Sequence, residues 1–151
     1  RAPAGCDRKR GASDQALGRS RGGLTTKIHM AADTLGRPIR FILTAGQSGD
    51  ALAAPALLEG FRPSAVLADK AYDSNALRQL IADAGAEAVI PSNRTRKVLI
   101  AHDIEAYRAR NRIERCFSKL KHFRRFATRY DRRAVHFLGF IHLAATLIWM
   151  R

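Results

Sequence analysis

Polar and apolar residues alternate from Leu24 to Asp33 (LTTKIHMAAD), the period-two pattern of a strand with one buried face. A second apolar run, Pro38–Thr44 (PIRFILT), follows a short DTLGRP connection with Gly36 in its turn, so the pair predicts a β-hairpin. Next, AGQSGD leads to Asp50, the expected N-cap of a helix over Ala51–Glu59 that Gly60 stops. Ala65–Ala68 (AVLA) is short and wholly apolar, as in a central strand covered on both faces, and it ends in Asp69. Ser74 or Asp73 is expected to cap a helix over Asn75–Ala84, closed by Gly85. Ala86–Ile90 (AEAVI) predicts another short strand, ended by Pro91, and SNRTRK reads as a basic loop. A long helix is expected from about His102 to His122, then a basic stretch with interleaved aromatics over Phe123–Arg133, then an apolar helix over Ala134–Met150. The order β-β-α-β-α-β-α-α predicts an α/β sandwich around a mixed sheet. Arg1–Gly23 is polar, basic and rich in Gly and Ser, and reads as an irregular arm ahead of a domain over 24–151.

The long helix concentrates the charge. Its stretch Tyr107–Lys121 (YRARNRIERCFSKLK) has a single acidic residue, Glu114, among Arg and Lys, and no Gly or Pro. On an ideal helix Tyr107, Arg110, Glu114, Ser118 and Lys121 fall within an arc of about 80°. Ile113, Phe117 and Leu120 form an apolar stripe beside that arc, and Arg108, Arg112, Arg115 and Lys119 lie on its other side. Glu114 alone reads as a surface carboxylate paired with its Arg neighbours. Set between cations, it also suits a divalent metal beside a gripped phosphate.

Composition favours the second reading. The chain has 151 residues, 46% of them hydrophobic, enough for one domain with a proper core. Its net charge is +14 and its pI about 11.2, which points to a polyanionic partner, above all nucleic acid. From Arg94 to Arg133 there are 14 Lys/Arg against 4 Asp/Glu. The aromatics Tyr107, Phe123, Phe126 and Tyr130 are interleaved there, the two Phe as core residues. Cys6 and Cys116 have no CxxC spacing, so neither a zinc site nor a disulfide framework is expected, and a reducing cytosol fits. No signal peptide is visible at the start of the sequence given. The apolar run Ala134–Met150 contains His136 and His142 and falls short of the roughly 20 residues of a membrane span. No membrane partner is expected, and the two His read as partly buried polar residues.

Asp69 is the second carboxylate of interest. In open α/β sheets the ligand crevice lies beyond the carboxyl ends of strands, where Asp69 falls. Capping by Asp73 would leave Asp69 for another role. A strand-end Asp and a helix-borne Glu, 45 positions apart, can converge on an Mg²⁺-type site. Asp7 and Asp14 lie in the arm, Asp33 in the hairpin turn reads as structural, and Asp50 reads first as an N-cap.

LADKAYDS (Leu67–Ser74) resembles the segment around the second catalytic Asp of the DDE transposases of bacterial insertion sequences, the IS4/IS5 superfamily. Tyr107, Arg110, Glu114 and Lys121 match the Tyr-x2-Arg-x3-Glu-x6-Lys signature around that family's catalytic Glu. LGRSRGGLTTKIHMAAD and GRPIRFILTAGQSGD are similar to the hairpin and following loop of the IS5-type enzymes, so the resemblance runs from about Leu17 to Met150. It implies an RNase H-like fold and metal-dependent cleavage of transposon-end DNA followed by strand transfer. It implies two Mg²⁺ (or Mn²⁺) ions held by three carboxylates, with Asp69 as the second and Glu114 as the third. Tyr107, Arg110 and Lys121 carry over as signature residues. Tyr107, Arg110, Arg112 and Lys121 are expected to meet DNA, and an oligomer on DNA, acting on transposon ends and target in the bacterial cytoplasm, is implied with them.

The family's first catalytic Asp lies on a strand ahead of the hairpin, and RAPAGC looks like the segment just after it. The chain is therefore expected to lack the first strand and its Asp, to bind double-stranded DNA through phosphates, and to cleave poorly alone. An upstream reading-frame product is the expected source of the missing part. The alternative is a catalytically incomplete DNA-binding remnant. A basic RNA-associated protein would explain the charge but not the placement of Asp69 and Glu114.

Overall fold

The computed structural model describes residues 15–20 and 23–150. β2 (Gly23–Ala32) and β3 (Pro38–Ala45) form the predicted antiparallel hairpin, with Ile28 opposite Leu43 and Met30 opposite Phe41. Asp33 makes the turn: its Oδ1 accepts from the N–H groups of Leu35 and Arg37, and Gly36 takes φ +79°. A Cβ at Gly36 would come within 2.9 Å of the Arg112 side chain, so the turn needs glycine for packing as well as for its φ. Part of the stretch read as an irregular arm is ordered: β1 (Gly18–Ser20) pairs antiparallel with Gly23–Thr25.

Asp50 is not the expected N-cap. It lies inside a 3₁₀ turn, Asp50–Ala53, that leads into α1 (Ala54–Leu58), and its carboxylate pairs with Lys27 instead. β4 (Ala65–Leu67) and β5 (Glu87–Val89) pair in parallel around α2 (Asn75–Asp83), which Ser74 caps by accepting from the Leu77 N–H at 3.2 Å.

The long helix is broken. α3 (Ile104–Arg108) is capped by Asp103, and α4 covers Asn111–Lys121. Between them the N–H groups of Ala109, Arg110, Arg112 and Ile113 each bond three residues back, so a tighter 3₁₀ turn re-aims the chain. The break lies where Arg112 docks under the hairpin turn and donates to the Thr34 carbonyl. Uniform periodicity over His102–His122 could not show that tertiary contact. α5 (Arg124–Ala127) lies in the aromatic-basic stretch, and α6 (Ala134–Trp149) closes the fold.

α6 is buried on one face only. Phe137, Ile141, Ala144 and Ala145 pack with Met30, Phe41, Cys116, Leu120 and Phe126. Val135, Leu143 and Leu147 are exposed, as are His136 and His142, contrary to the expectation of partial burial. Phe126 is buried and Phe123 packs against the same cluster, as expected, while Tyr130 is exposed. A second core, of Ala54, Leu77, Ile81 and Ile90, lies under the parallel pair.

The expected single mixed sheet is not formed among the described residues. The chain makes a three-stranded sheet, β1-β2-β3, and a separate two-stranded sheet, β4-β5. A cavity of about 620 Å³ lies between them. Every residue from Ile28 to Thr34 and from Ala65 to Asp69 touches it. Successive side chains of a strand point to opposite faces, so a cavity touched by all of them runs along the strand edges. Those edges of β2 and β4 have no partner among the described residues. No helix among the described residues is long and apolar enough to cross a membrane.

Candidate active site

Asp69 follows the end of β4, where the chain tightens into the 3₁₀ turn Lys70–Tyr72. Its Oδ1 accepts from the Ala71 N–H at 2.9 Å and caps that turn. Asp69 thus caps a turn with one oxygen; Oδ2 has no hydrogen-bond partner among the described residues.

Glu114 stands in the first turn of α4. Arg110, just before the helix, donates from Nη2 to Glu114 Oε1 at 2.5 Å. The Glu114 side chain is 57% exposed and that of Arg110 24%. Burial works against the Arg110 charge. The hydrogen bond to Glu114 and the fields of Tyr107, Glu114 and Asp69 outweigh it and hold the guanidinium above its ordinary pKa. One cation therefore feels both carboxylates. Arg110 also lies over the Tyr107 ring, 5.4 Å from its centroid.

Asp69, Arg110, Arg112 and Glu114 all line the cavity between the sheets. Tyr107 and Arg110 meet Asp69, Lys70 and Pro91 in a smaller neighbouring pocket of about 400 Å³. Lys121 lines neither. It is exposed at the end of α4, about 10 Å along the helix axis from Glu114.

Behind Asp69 stands a polar wall that the sequence did not announce. His29 on β2 is 3% exposed. Its Nε2 shares a hydrogen bond with Thr44 Oγ1 at 2.7 Å, and its Nδ1 meets the Tyr72 hydroxyl at 3.4 Å. Burial lowers the His29 pKa, Asp50 opposes this and Lys27 adds to it, so the ring is held neutral. Tyr72 is pushed up to about 12 by burial and by the negative charges of Asp50 and Asp69. Asp50 Oδ1 accepts from Lys27 Nζ at 2.8 Å, so that carboxylate is engaged. Asp33 holds the hairpin turn, as expected, pairing with Arg37 at 2.6 Å. Asp7 and Asp14 lie outside the described residues.

Asp73 does not cap α2, contrary to expectation, but anchors the segment after β5. Its carboxylate is 1% exposed and takes Arg78 at 2.8 Å, Arg96 at 2.9 Å and the Asn93 N–H at 2.7 Å. The hydrogen bonds from Arg96, helped by Asn93 and Arg78, hold it far below the usual carboxylate range despite its burial. The only signal in the sequence was the surplus of Arg in SNRTRK.

The oxygen donors Asp69 and Glu114 have the right chemistry for a hard cation. Among the described residues no group of three or more His, Cys, Asp or Glu is gathered as a metal site. The pair fits part of such a site, and one Glu114 oxygen rests on Arg110.

The family profile described as Transposase DDE domain matches residues 7–149. A Brucella ovis protein named as a transposase for insertion sequence element IS6501 is 42% identical over 130 residues, which cover 85% of this chain and 100% of that protein. A Burkholderia cepacia protein named as a transposase for insertion sequence element IS402 is 32% identical over 135 residues, covering 82% of this chain and 62% of that protein. No solved structure matches the chain. With almost the whole length inside the profile, and with Asp69 and Glu114 on one cavity, the chain belongs to the transposase DDE domain family, and its role is in DNA transposition.

Proposed function

We propose that the chain is the catalytic part of an IS5-type, RNase H-like transposase in which Asp69 and Glu114 are two of three acidic residues that hold Mg²⁺ or Mn²⁺. The observation that carries this is the convergence of the two carboxylates on one cavity and one guanidinium, Arg110, across 45 positions of sequence. Bound hard cations would stabilise the attacking and leaving oxygens of a phosphodiester. The chain's own residues would bind and orient: Asp69 Oδ2 is free to take a ligand, Glu114 lines the same cavity, and Arg110, Arg112 and Lys121 would offer cations to the DNA backbone. The third carboxylate would come from a strand lying in the slot between β2 and β4. The unpaired edges on both sides of that slot support this, because an added strand would satisfy both.

Metal binding tests the assignment. Mn²⁺ titration of the chain, followed by water-proton relaxation, should show weak binding that Asp69→Asn and Glu114→Gln each abolish. Equal affinity in wild type and both variants would overturn it.

A second reading, a DNA-binding protein without catalysis of its own, is favoured by the engagement of Glu114 with Arg110 and by the lack, among the described residues, of three or more His, Cys, Asp or Glu gathered as a metal site. Incubation of the chain with Mg²⁺ and DNA should then leave the DNA intact. Mg²⁺-dependent cleavage that Asp69→Asn removes would show the site to be complete.

A further inference from the structure

The segment Ser92–Ile100 follows the end of β5, and Pro91, just before it, touches the same small pocket as Asp69. It has no helix or strand, yet it is tied down at both ends and in the middle. At the base, Ser92 Oγ accepts from the Ile100 N–H at 2.8 Å and donates to the Ile100 carbonyl at 3.1 Å. In the middle, Asp73 accepts from the Asn93 N–H and from Arg96, through both Nε and Nη2. Arg96 Nη1 also donates to Asn75 Oδ1 at 2.6 Å. From the other side Arg78 holds Asp73 and donates to the Ile90 carbonyl at 2.7 Å.

This clamp puts one carboxylate between two guanidiniums, so it keeps a net positive charge. The segment carries three cations in four positions, Arg94, Arg96 and Lys97, which repel one another. Only Arg96 is turned inward. Arg94 and Lys97 are exposed and have no ion pair among the described residues. Exposed Lys70 lines the small pocket with Asp69 and with Pro91, the residue just before the segment. A buried ion pair is a weak means of stabilising a fold, and an apolar contact of similar volume often serves as well. What this clamp achieves, and an apolar contact would not, is to hold a cation-bearing segment at a fixed place beside a carboxylate.

We propose that Ser92–Ile100 is a second phosphate-binding element, distinct from Arg110 and Arg112, which takes the DNA backbone next to Asp69 through Arg94 and Lys97, with Asp73 as its positioning residue through Arg96. The inference rests on the DNA-binding part of the proposed function. It extends that part by naming a surface and its ligand, the phosphodiester backbone read without regard to base sequence.

The test is the salt dependence of binding of the full chain to a duplex of random sequence. Each phosphate contact contributes about 0.9 to the slope of log affinity against log salt. The double variant Arg94→Ala/Lys97→Ala should therefore lower the slope by about two. Both residues are exposed and unpaired, so this variant should melt with the wild type by circular dichroism. Arg96→Gln leaves Asp73 paired with Arg78 and frees only the segment. It should lower the slope in the wild-type background and add nothing in the double variant. An unchanged slope in Arg94→Ala/Lys97→Ala would overturn the proposal while leaving DNA binding intact. A full additional loss from Arg96→Gln in the double variant would remove the positioning role of the clamp. A wild type whose binding is flat in salt would instead sink the DNA reading on which the inference stands.

Discussion

Arg110 and Glu114 lie one helical turn apart and are joined at 2.5 Å, and the same guanidinium sits in the field of Asp69. In this chain the cation does locally what a metal would do, since it offsets two converging carboxylates. It would compete with a bound metal for Glu114, whose Oε1 it holds. Arg110→Gln should tighten Mn²⁺ binding by up to about fivefold, the equivalent of a partly exposed pair worth up to about 1 kcal/mol. The same change should weaken DNA binding. Isothermal titration of both ligands checks this, and a weaker Mn²⁺ affinity in the variant would mean that Arg110 orients Glu114 rather than competing for it.

His29 gives the fold a pH dependence of known sign. Burial, reinforced by Lys27 and opposed by Asp50, depresses its folded pKa below the unfolded value, and Tyr72 stays neutral throughout the range concerned. The unfolded chain therefore binds more protons as pH falls below about 6.5, and stability falls with it. His29→Gln retains a partner for Thr44 but cannot titrate. Urea midpoints measured from neutral to mildly acid pH should fall in the wild type and flatten in the variant. Equal slopes for the two would assign the effect to another group.

Much of this could be read in the sequence, for a physical reason. The hairpin, the AVLA strand, the helix capped by Ser74 and the terminal apolar helix are set by local periodicity and turn residues, and each lies within a few residues of its expected place. The placement of Asp69 after a strand and of Glu114 on a helix was legible because one ends an apolar run and the other is the lone acid in a basic stretch. What was not legible depends on distant partners. The break at Ala109 and Arg110 accompanies the docking of Arg112 on the Thr34 carbonyl, 78 positions away. Asp73 looked like a cap because its arginines come from α2 and from the Arg96 segment. The division into two sheets depends on which strands fail to meet, and alternation within a strand carries no record of that.

Asp73 should be the costliest single charge to remove. Its side chain is 1% exposed and serves two guanidiniums that are themselves mostly buried. Asp73→Asn leaves Arg78 and Arg96 without their counter-charge and should cost about 3–5 kcal/mol at neutral pH. Its depressed pKa means that this stability is present above the unfolded value near 4 and is lost as pH falls through the folded value. The gap between wild type and variant in urea unfolding should therefore narrow in strong acid. A constant gap would place the cost in shape rather than charge.

The slot between β2 and β4 makes a prediction at the level of single amides. In an antiparallel pair the backbone N–H groups of one strand point alternately toward and away from its partner. From Ile28 to Ala31, β2 is paired in regular register with β3, and its other edge faces the cavity. Hydrogen exchange in this chain should therefore alternate along β2, with amides aimed at β3 protected and those aimed at the slot exchanging fast. The free edge of β4 should exchange fast as well, while its edge toward β5 is slow. Placing a strand in the slot, by extending the chain with an apolar segment that bears an Asp, should protect both sets of amides together. The same extension should raise Mn²⁺ affinity, since a third carboxylate would join Asp69 and Glu114. Uniform protection along β2 in the unextended chain would mean that its edge is already covered, and the third carboxylate would then have to come from elsewhere.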